Sequence, residues 1–254
     1  MILRRTPYSA SAWLLATALV TACHEERPKT PPRDSRLGAQ RCSGKPGPRN
    51  QLNPVLQRPF DGQYPVASLF DHELPSPGTV GPATPGDSEL TYCGITALGV
   101  PDGFSGYAFL LPLRTPVLAP ADGEVLTAGV RAPFACPLTR RAVDDEQVVE
   151  LRHDGLGGLG FITHYAHLSS VLVRPGDTVV KGQRIGLSGE SGCAQGPQLY
   201  FEVRRLTSTR TGRPVAVDPF GWDGPTADPW AEHPSGAPSQ YLWIDGEAPT
   251  LKAR

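Results

Sequence analysis

Between Gly196 and Val203 the chain alternates strictly: Leu199, Phe201 and Val203 are apolar, whereas Gln198, Tyr200 and Glu202 are polar or amphipathic. A period of two marks a strand with two unlike faces. The first set predicts a core face, and the second a face turned to a groove or to solvent. Comparable runs predict strands over 116–120 and 124–128 around the turn Ala121-Asp122-Gly123. Others fall over 147–152 and 161–166 around Asp154-Gly155-Leu156-Gly157-Gly158, and over 184–187. Pro175-Gly176-Asp177 and Lys181-Gly182 are further turn signals. Strands this short at such regular intervals predict an antiparallel all-β domain. No amphipathic helix of convincing length follows residue 22.

The flanks break this pattern. Arg4 and Arg5 precede a mostly apolar run over 10–20, too short to span a bilayer, and Val20-Thr21-Ala22-Cys23 follows. Residues 1–22 therefore read as a signal peptide. The small residues before Cys23 resemble the lipobox of bacterial lipoproteins, in which that cysteine becomes the lipidated first residue. An ordinary secretory signal, leaving Cys23 a thiol, is the alternative. Residues 23–55 hold six prolines among charged and small residues, with almost no apolar periodicity, and read as a tether. Residues 56–103 are turn-rich with scattered anchors at Phe60, Tyr64, Val66 and Phe70, an N-terminal lap on the core. Within it Asp71-His72-Glu73 could imitate a metal site, but adjacent residues of an extended chain point to opposite faces and cannot all grip one ion, so the expectation is a solvated charged turn before Pro75. Residues 207–254 are rich in Pro and Trp. Their aromatics could bind sugars or peptides, but the expectation is an irregular tail packed on a sheet.

Composition narrows the class. The 254 residues include 28 Gly and 28 Pro, and a net charge of -1 gives no reason to expect nucleic-acid binding. Export places Cys42, Cys93, Cys136 and Cys193 in an oxidising compartment, where an even set favours disulfides, with three possible pairings. Zinc held by cysteine is disfavoured because no C-x-x-C spacing occurs.

Four motifs stand in order between residues 104 and 204. They are Thr115-Pro116-Val117-Leu118-Ala119-Pro120-Ala121-Asp122-Gly123-Glu124-Val125, then Tyr165-Ala166-His167-Leu168-Ser169, then the turn and hairpin segment 173–186, then 196–203. Together they resemble the β-sheet core of the lysostaphin/LytM-type zinc murein endopeptidases. The resemblance implies an antiparallel β-sheet core or sandwich over 104–206 with loop-rich extensions at both ends. It also places Cys136 and Cys193 in loops of that core, which favours pairing them with each other and Cys42 with Cys93. The Asp-Pro at 218–219, just after the last core strand, is another family habit.

The departures matter most. Active members of the family hold zinc with the His and Asp of an H-x-x-x-D segment and the second His of an H-x-H strand. Here Phe104 stands at that His position and Ala108 at the Asp position, while Gln198 and Tyr200 replace the H-x-H. Only His167, matching the family's catalytic His, is retained. Zinc hydrolysis needs three protein ligands, an open position for water and a proton-transfer group. Phe104 and Ala108 offer no donor, Tyr200 would ligate only as phenolate, and Gln198 is a poor ligand. His153, His164 and His167 could in principle rebuild a site. Residues 164 and 167 differ by an odd number, so without a bulge they face opposite sides of the strand. The expected groove is lined by Phe104, Ala108, Tyr165, His167, Gln198 and Tyr200, with Tyr165 sharing the face of His167, and with His164 and His153 structural or solvent-exposed. A lone groove His lacking a metal and an acidic partner is not a catalyst. No G-x-S-x-G segment is present, and a nucleophilic Cys193 would have to stay reduced outside the cytoplasm. The insertion between Val130 and Glu146 is either a rim of the groove or a plain surface loop.

These readings converge on an exported envelope lipoprotein, anchored to membrane through Cys23, whose peptidase-like domain binds a murein peptide or regulates a cell-wall hydrolase without hydrolysing and without a cofactor. The alternatives are an active zinc metalloendopeptidase acting on peptidoglycan cross-links with unusual ligands, and a purely structural lipoprotein.

Overall fold

The computed structural model describes residues 54–73, 88–94, 96–98, 103–154, 160–206 and 213–251. Residues 1–22, the tether as far as residue 53 with Cys23 and Cys42, and the loop at 155–159 lie outside the described residues. The strands are β1 (Val66–Ser68), β2 (Ser88–Leu90), β3 (Thr96–Leu98), β4 (Tyr107–Phe109), β5 (Pro116–Leu118), β6 (Gly123–Val130) and β7 (Phe134–Ala135). They continue with β8 (Ala142–Val143), β9 (Gln147–His153), β10 (Phe161–Val171), β11 (Thr178–Val179), β12 (Arg184–Ser188), β13 (Leu199–Arg205) and β14 (Val215–Val217). Among the described residues one short helix, α1 (Pro229–Glu232), interrupts this all-β architecture; Asp228 caps it, accepting from the Trp230 N–H.

Ten strands form one antiparallel sheet in the order β1-β4-β13-β10-β9-β6-β11, with β12 also on β10, β5 on β12, and β14 on β13. The central strand β13 shows the alternation that predicts it. Leu199, Phe201 and Val203 are buried against Val149 and Leu151 of β9 and Phe161 and Tyr165 of β10, in one apolar cluster. Phe201 contacts Tyr165 at 5.5 Å and Trp243 at 5.9 Å between ring centroids.

Lap and tail close this core together. Leu56 donates its N–H to the Leu242 carbonyl at 2.9 Å, and Ile244 N–H returns to the Leu56 carbonyl at 2.9 Å. This sets Trp243 against Phe201 and Phe220. Further along the lap, β1 adds a strand to the edge of β4, with Val66 opposite Phe109 and Ser68 opposite Ala108.

The segment 71–73 corrects the expectation of a solvated turn. Asp71 is fully buried, His72 is 1% exposed, and only Glu73 reaches solvent. His72 Nε2 lies 3.0 Å from Asp218 Oδ2 and Nδ1 2.8 Å from Asp228 Oδ1. Asp218 also accepts from the Tyr107 hydroxyl at 2.6 Å and the Phe220 N–H at 2.8 Å. Asp71 Oδ1 accepts from the Leu90 and Glu73 N–H groups, and its Oδ2 from the Gly103 N–H. The partners come from different elements: the tail takes His72, and the lap's own main chain takes Asp71. Burial alone would lower the His72 pKa, yet the hydrogen bonds and charges of Asp218 and Asp228 raise it to about 9. A buried imidazolium thus joins lap, core and tail.

Candidate functional site

Strand β13 runs between β4 and β10, placing Tyr200 opposite Ala108 on one side and Ala166 on the other. Two small neighbours leave room for the ring. Gly106 leaves more, since a Cβ there would lie 2.6 Å from the Phe201 carbonyl and 3.0 Å from the Tyr200 ring. Phe104 meets Tyr200 edge-on at 5.3 Å, His164 at 5.8 Å and His167 at 6.3 Å between centroids.

Period two continues past the predicted stretch and puts Glu202 and Arg204 beside Tyr200. The Tyr200 hydroxyl donates to Glu202 Oε2 at 2.5 Å, and Ser105 Oγ lies 3.1 Å from that hydroxyl and 3.2 Å from the same carboxylate. Arg204 donates from Nε to Glu202 Oε1 at 2.6 Å and from a terminal nitrogen to Glu150 Oε1 at 2.8 Å. Glu150 also pairs with His164 Nδ1 at 3.1 Å and accepts from Thr127 Oγ1 at 3.1 Å. Cross-strand register explains the assembly, because His164 stands opposite both Glu150 on β9 and Glu202 on β13. The His164 hydrogen bond pulls the Glu150 carboxyl down to about 2 against the opposing effect of burial, with the charges of His164 and Arg204 and the Thr127 hydroxyl adding to it. Burial pushes the Tyr200 phenol well above its ordinary value, and the adjacent Glu202 charge and hydrogen bond add to that rise against Ser105 and Arg204. Tyr200 is therefore a neutral phenol that has committed its proton to a carboxylate.

The histidines do not sit as parity predicts. His167 has a φ of 64°, and the pairing of β10 shifts between Tyr165 and Leu168 on β9 and between Leu168 and Ser170 on β12. This bulge adds the residue that reverses the alternation. His164 and His167 consequently both reach Tyr200, and Tyr165 is turned away. It is fully buried in the core, donates its hydroxyl to Thr163 Oγ1 at 3.0 Å, and is removed from the expected groove lining. His153 spends one ring nitrogen on the Asp122 carbonyl and the other on Thr163 Oγ1, both at 2.8 Å, so it belongs to the interior. His164 is mostly buried on Glu150.

An acidic partner for His167 also exists, contrary to expectation. Its Nδ1 lies 3.0 Å from the Ser191 carbonyl oxygen and 3.3 Å from Glu146 Oε1. Glu146 ends the insertion that follows Val130 and is held in turn by Arg131 at 2.9 Å. Cys136 is bonded to Cys193 with a Cα–Cα distance of 5.4 Å, tying that insertion to the loop carrying Ser191. The insertion thereby packs beside His167. Cys93 is disulfide-bonded too, while its expected partner Cys42 is outside the described residues.

Of the expected lining, the structure gathers Phe104, Ala108 and Tyr200 with His167, and Gln198 is half-buried on the strand leading to Tyr200, its N–H on the Gly189 carbonyl. This donor set does not fit zinc. Phe104 and Ala108 have no ligating atom, and the Tyr200 oxygen is engaged by Glu202 and Ser105. Among the described residues no three His, Cys, Asp or Glu side chains converge as metal-holding groups do.

A family model described as Peptidase family M23 matches residues 103–219. Residues 103–219, slightly less than half of the chain, are thus a domain of the M23 peptidase type. The M23 domain is 36% identical over 111 residues to Peptidoglycan DD-endopeptidase ShyA of Vibrio cholerae, covering 44% of this chain and 21% of that protein. It is 41% identical over 97 residues to an uncharacterized metalloprotease of Haemophilus influenzae, covering 38% of this chain and 18% of that one. It is also 35% identical over 108 residues to Cell division protein DipM of Caulobacter vibrioides, covering 42% and 15%. The chain thus spans about a fifth or less of the length of these relatives. A solved zinc containing peptidase from Vibrio cholerae aligns with a TM-score of 0.42 at 26% identity, over 65% of this chain and 39% of that one.

Proposed function

We propose that the M23 domain of this protein is a binding module that holds a peptide in the groove over Tyr200 without cutting it. The peptide belongs to murein or to a cell-wall hydrolase, and the protein is carried on an exported lipoprotein anchored through Cys23. The observation that carries this reading is the fate of the three positions that the family resemblance assigns to metal. Phe104 and Ala108 present carbon only, and Tyr200 shares its proton with Glu202. A water-activating centre is replaced by an apolar and aromatic surface above a self-satisfied ladder of charges, which favours burial of a ligand side chain over activation of water. The names of several relatives support murein as the material on which this domain acts.

Co-sedimentation with purified murein tests the reading, using the wild type and a Cys23→Ser variant in parallel. The wild type should pellet with murein and leave the sugar and peptide composition of the polymer unchanged. The Cys23→Ser protein should bind murein equally while leaving the membrane fraction. Failure of the wild type to pellet with murein would move the reading to a protein partner; retention of the variant in membranes would remove the lipid anchor.

A further inference from the structure

His167 is a non-glycine residue at φ 64°, a conformation that persists only where its surroundings impose it. Two segments impose it here. Glu146 Oε1 and the Ser191 carbonyl oxygen both face Nδ1, at 3.3 and 3.0 Å. The two segments also grip each other. The Gln147 N–H donates to Ser191 Oγ at 3.0 Å and the Gly192 N–H to Asp145 Oδ1 at 3.2 Å. Gly192, at φ 73°, lies so close that a Cβ would stand 2.5 Å from Glu146 Cβ and Cγ. The Cys136–Cys193 disulfide locks the same two segments together.

Two acceptors facing one ring nitrogen dictate where the proton sits. A bare Nδ1 lone pair would oppose both oxygens, so the neutral ring carries its hydrogen on Nδ1 and leaves Nε2 as an acceptor. Glu146 is 3% exposed; burial would raise its pKa, but His167 and Arg131 together hold it lowered, so an ionised carboxylate is the group in place. Nε2 makes no hydrogen bond among the described residues, and the ring stands 6.3 Å from that of Tyr200.

We propose that Glu146 is a positioning residue that, with the Ser191 carbonyl, fixes the tautomer of His167, so that the groove offers an acceptor at Nε2 and takes ligands presenting an N–H donor there, an amide or amine nitrogen, and disfavours a carboxylate. The selectivity rests on the binding function proposed above, whereas the tautomer does not.

The test is a long-range proton–nitrogen correlation spectrum of the full chain labelled with nitrogen-15 histidine, recorded at about pH 8, where imidazole is mostly neutral. The wild type should show His167 protonated at Nδ1 and bare at Nε2. Glu146→Ala, and separately Gly192→Ala, which displaces the carboxylate by crowding, should each move population to the Nε2–H form. Co-sedimentation with purified murein should weaken roughly tenfold in both variants, the effect of one lost hydrogen bond at a buried site. A wild-type His167 protonated at Nε2 overturns the proposal, as does an unchanged tautomer in two folded variants. The wild-type spectrum decides the first point even if neither variant folds. An Nδ1–H tautomer that shifts as expected in a protein that never pellets with murein would leave the positioning role intact and refute the murein reading alone.

Discussion

Replacing His72 by Gln should remove a pH-dependent part of the folding free energy. The side chain is 1% exposed and lies between Asp218 and Asp228, and its pKa rises from an ordinary 6.5 to about 9. Each tenfold change in proton affinity is worth about 1.4 kcal/mol, so the clamp contributes about 3 kcal/mol. The folded value is the raised one. The contribution is therefore complete below pH 6.5 and disappears as the pH climbs through about 9. Urea unfolding at a series of pH values from about 6 to 9.5, for wild type and His72→Gln, measures it. The difference between the two proteins should fall by about 3 kcal/mol from the acid end to the alkaline end, where only the cost of lost packing remains. Taking the difference cancels whatever other groups titrate in the same window. A gap that is constant with pH would show that His72 is not charged in the folded protein, and the argument for an ionic clamp would fail.

Three further outcomes follow from the same packing. Trp243→Ala should cost roughly 3 to 5 kcal/mol in chemical unfolding, because the ring fills the space between Phe201 and Phe220 and closes lap against tail; a loss below about 1 kcal/mol would mean the tail is not part of the cooperative core. Glu89 is fully buried, and burial raises its pKa well above the ordinary value against the Leu69 N–H that its Oε1 accepts at 2.7 Å. Its contribution is complete below about pH 4.5 and lost as pH rises, so Glu89→Gln should gain on the wild type between pH 4 and pH 8, and equal pH slopes would contradict a buried acid. Tyr200→Ala should weaken murein binding by roughly 1 to 3 kcal/mol with little change in the unfolding midpoint, and unaltered co-sedimentation would remove Tyr200 as the anchor.

The strands were legible because burial on one side leaves a period-two record. Leu199, Phe201 and Val203 fall on the core face, and the polar set 198, 200 and 202 on the other, continuing to Arg204. The family motifs supplied the rest of the sheet and the pairing of Cys136 with Cys193. Tyr165 does not share the face of His167, because that expectation assumes an unbroken pleat and the bulge at His167 has no marker in the local sequence; a histidine at positive φ is chosen by Glu146 and Ser191, both distant along the chain. His72 was misread for a related reason, since its counter-charges lie 146 and 156 residues away. Glu146 carried one weak signal, an acidic residue immediately before a strand at the end of a charged insertion. The disulfide and the contact of Glu146 with His167 show where this insertion packs.

The central claim is that this M23 domain binds without hydrolysing, and incubation of the purified wild-type protein with murein, with added zinc and separately with a chelator, tests it most directly. Released peptides are read by chromatography and bound metal by elemental analysis. The donor set around Tyr200 predicts no cleavage in either condition, less than stoichiometric zinc after dialysis, and binding that is indifferent to the chelator. Zinc retained at one ion per chain together with cleavage that the chelator abolishes would contradict the account and establish an active metalloendopeptidase.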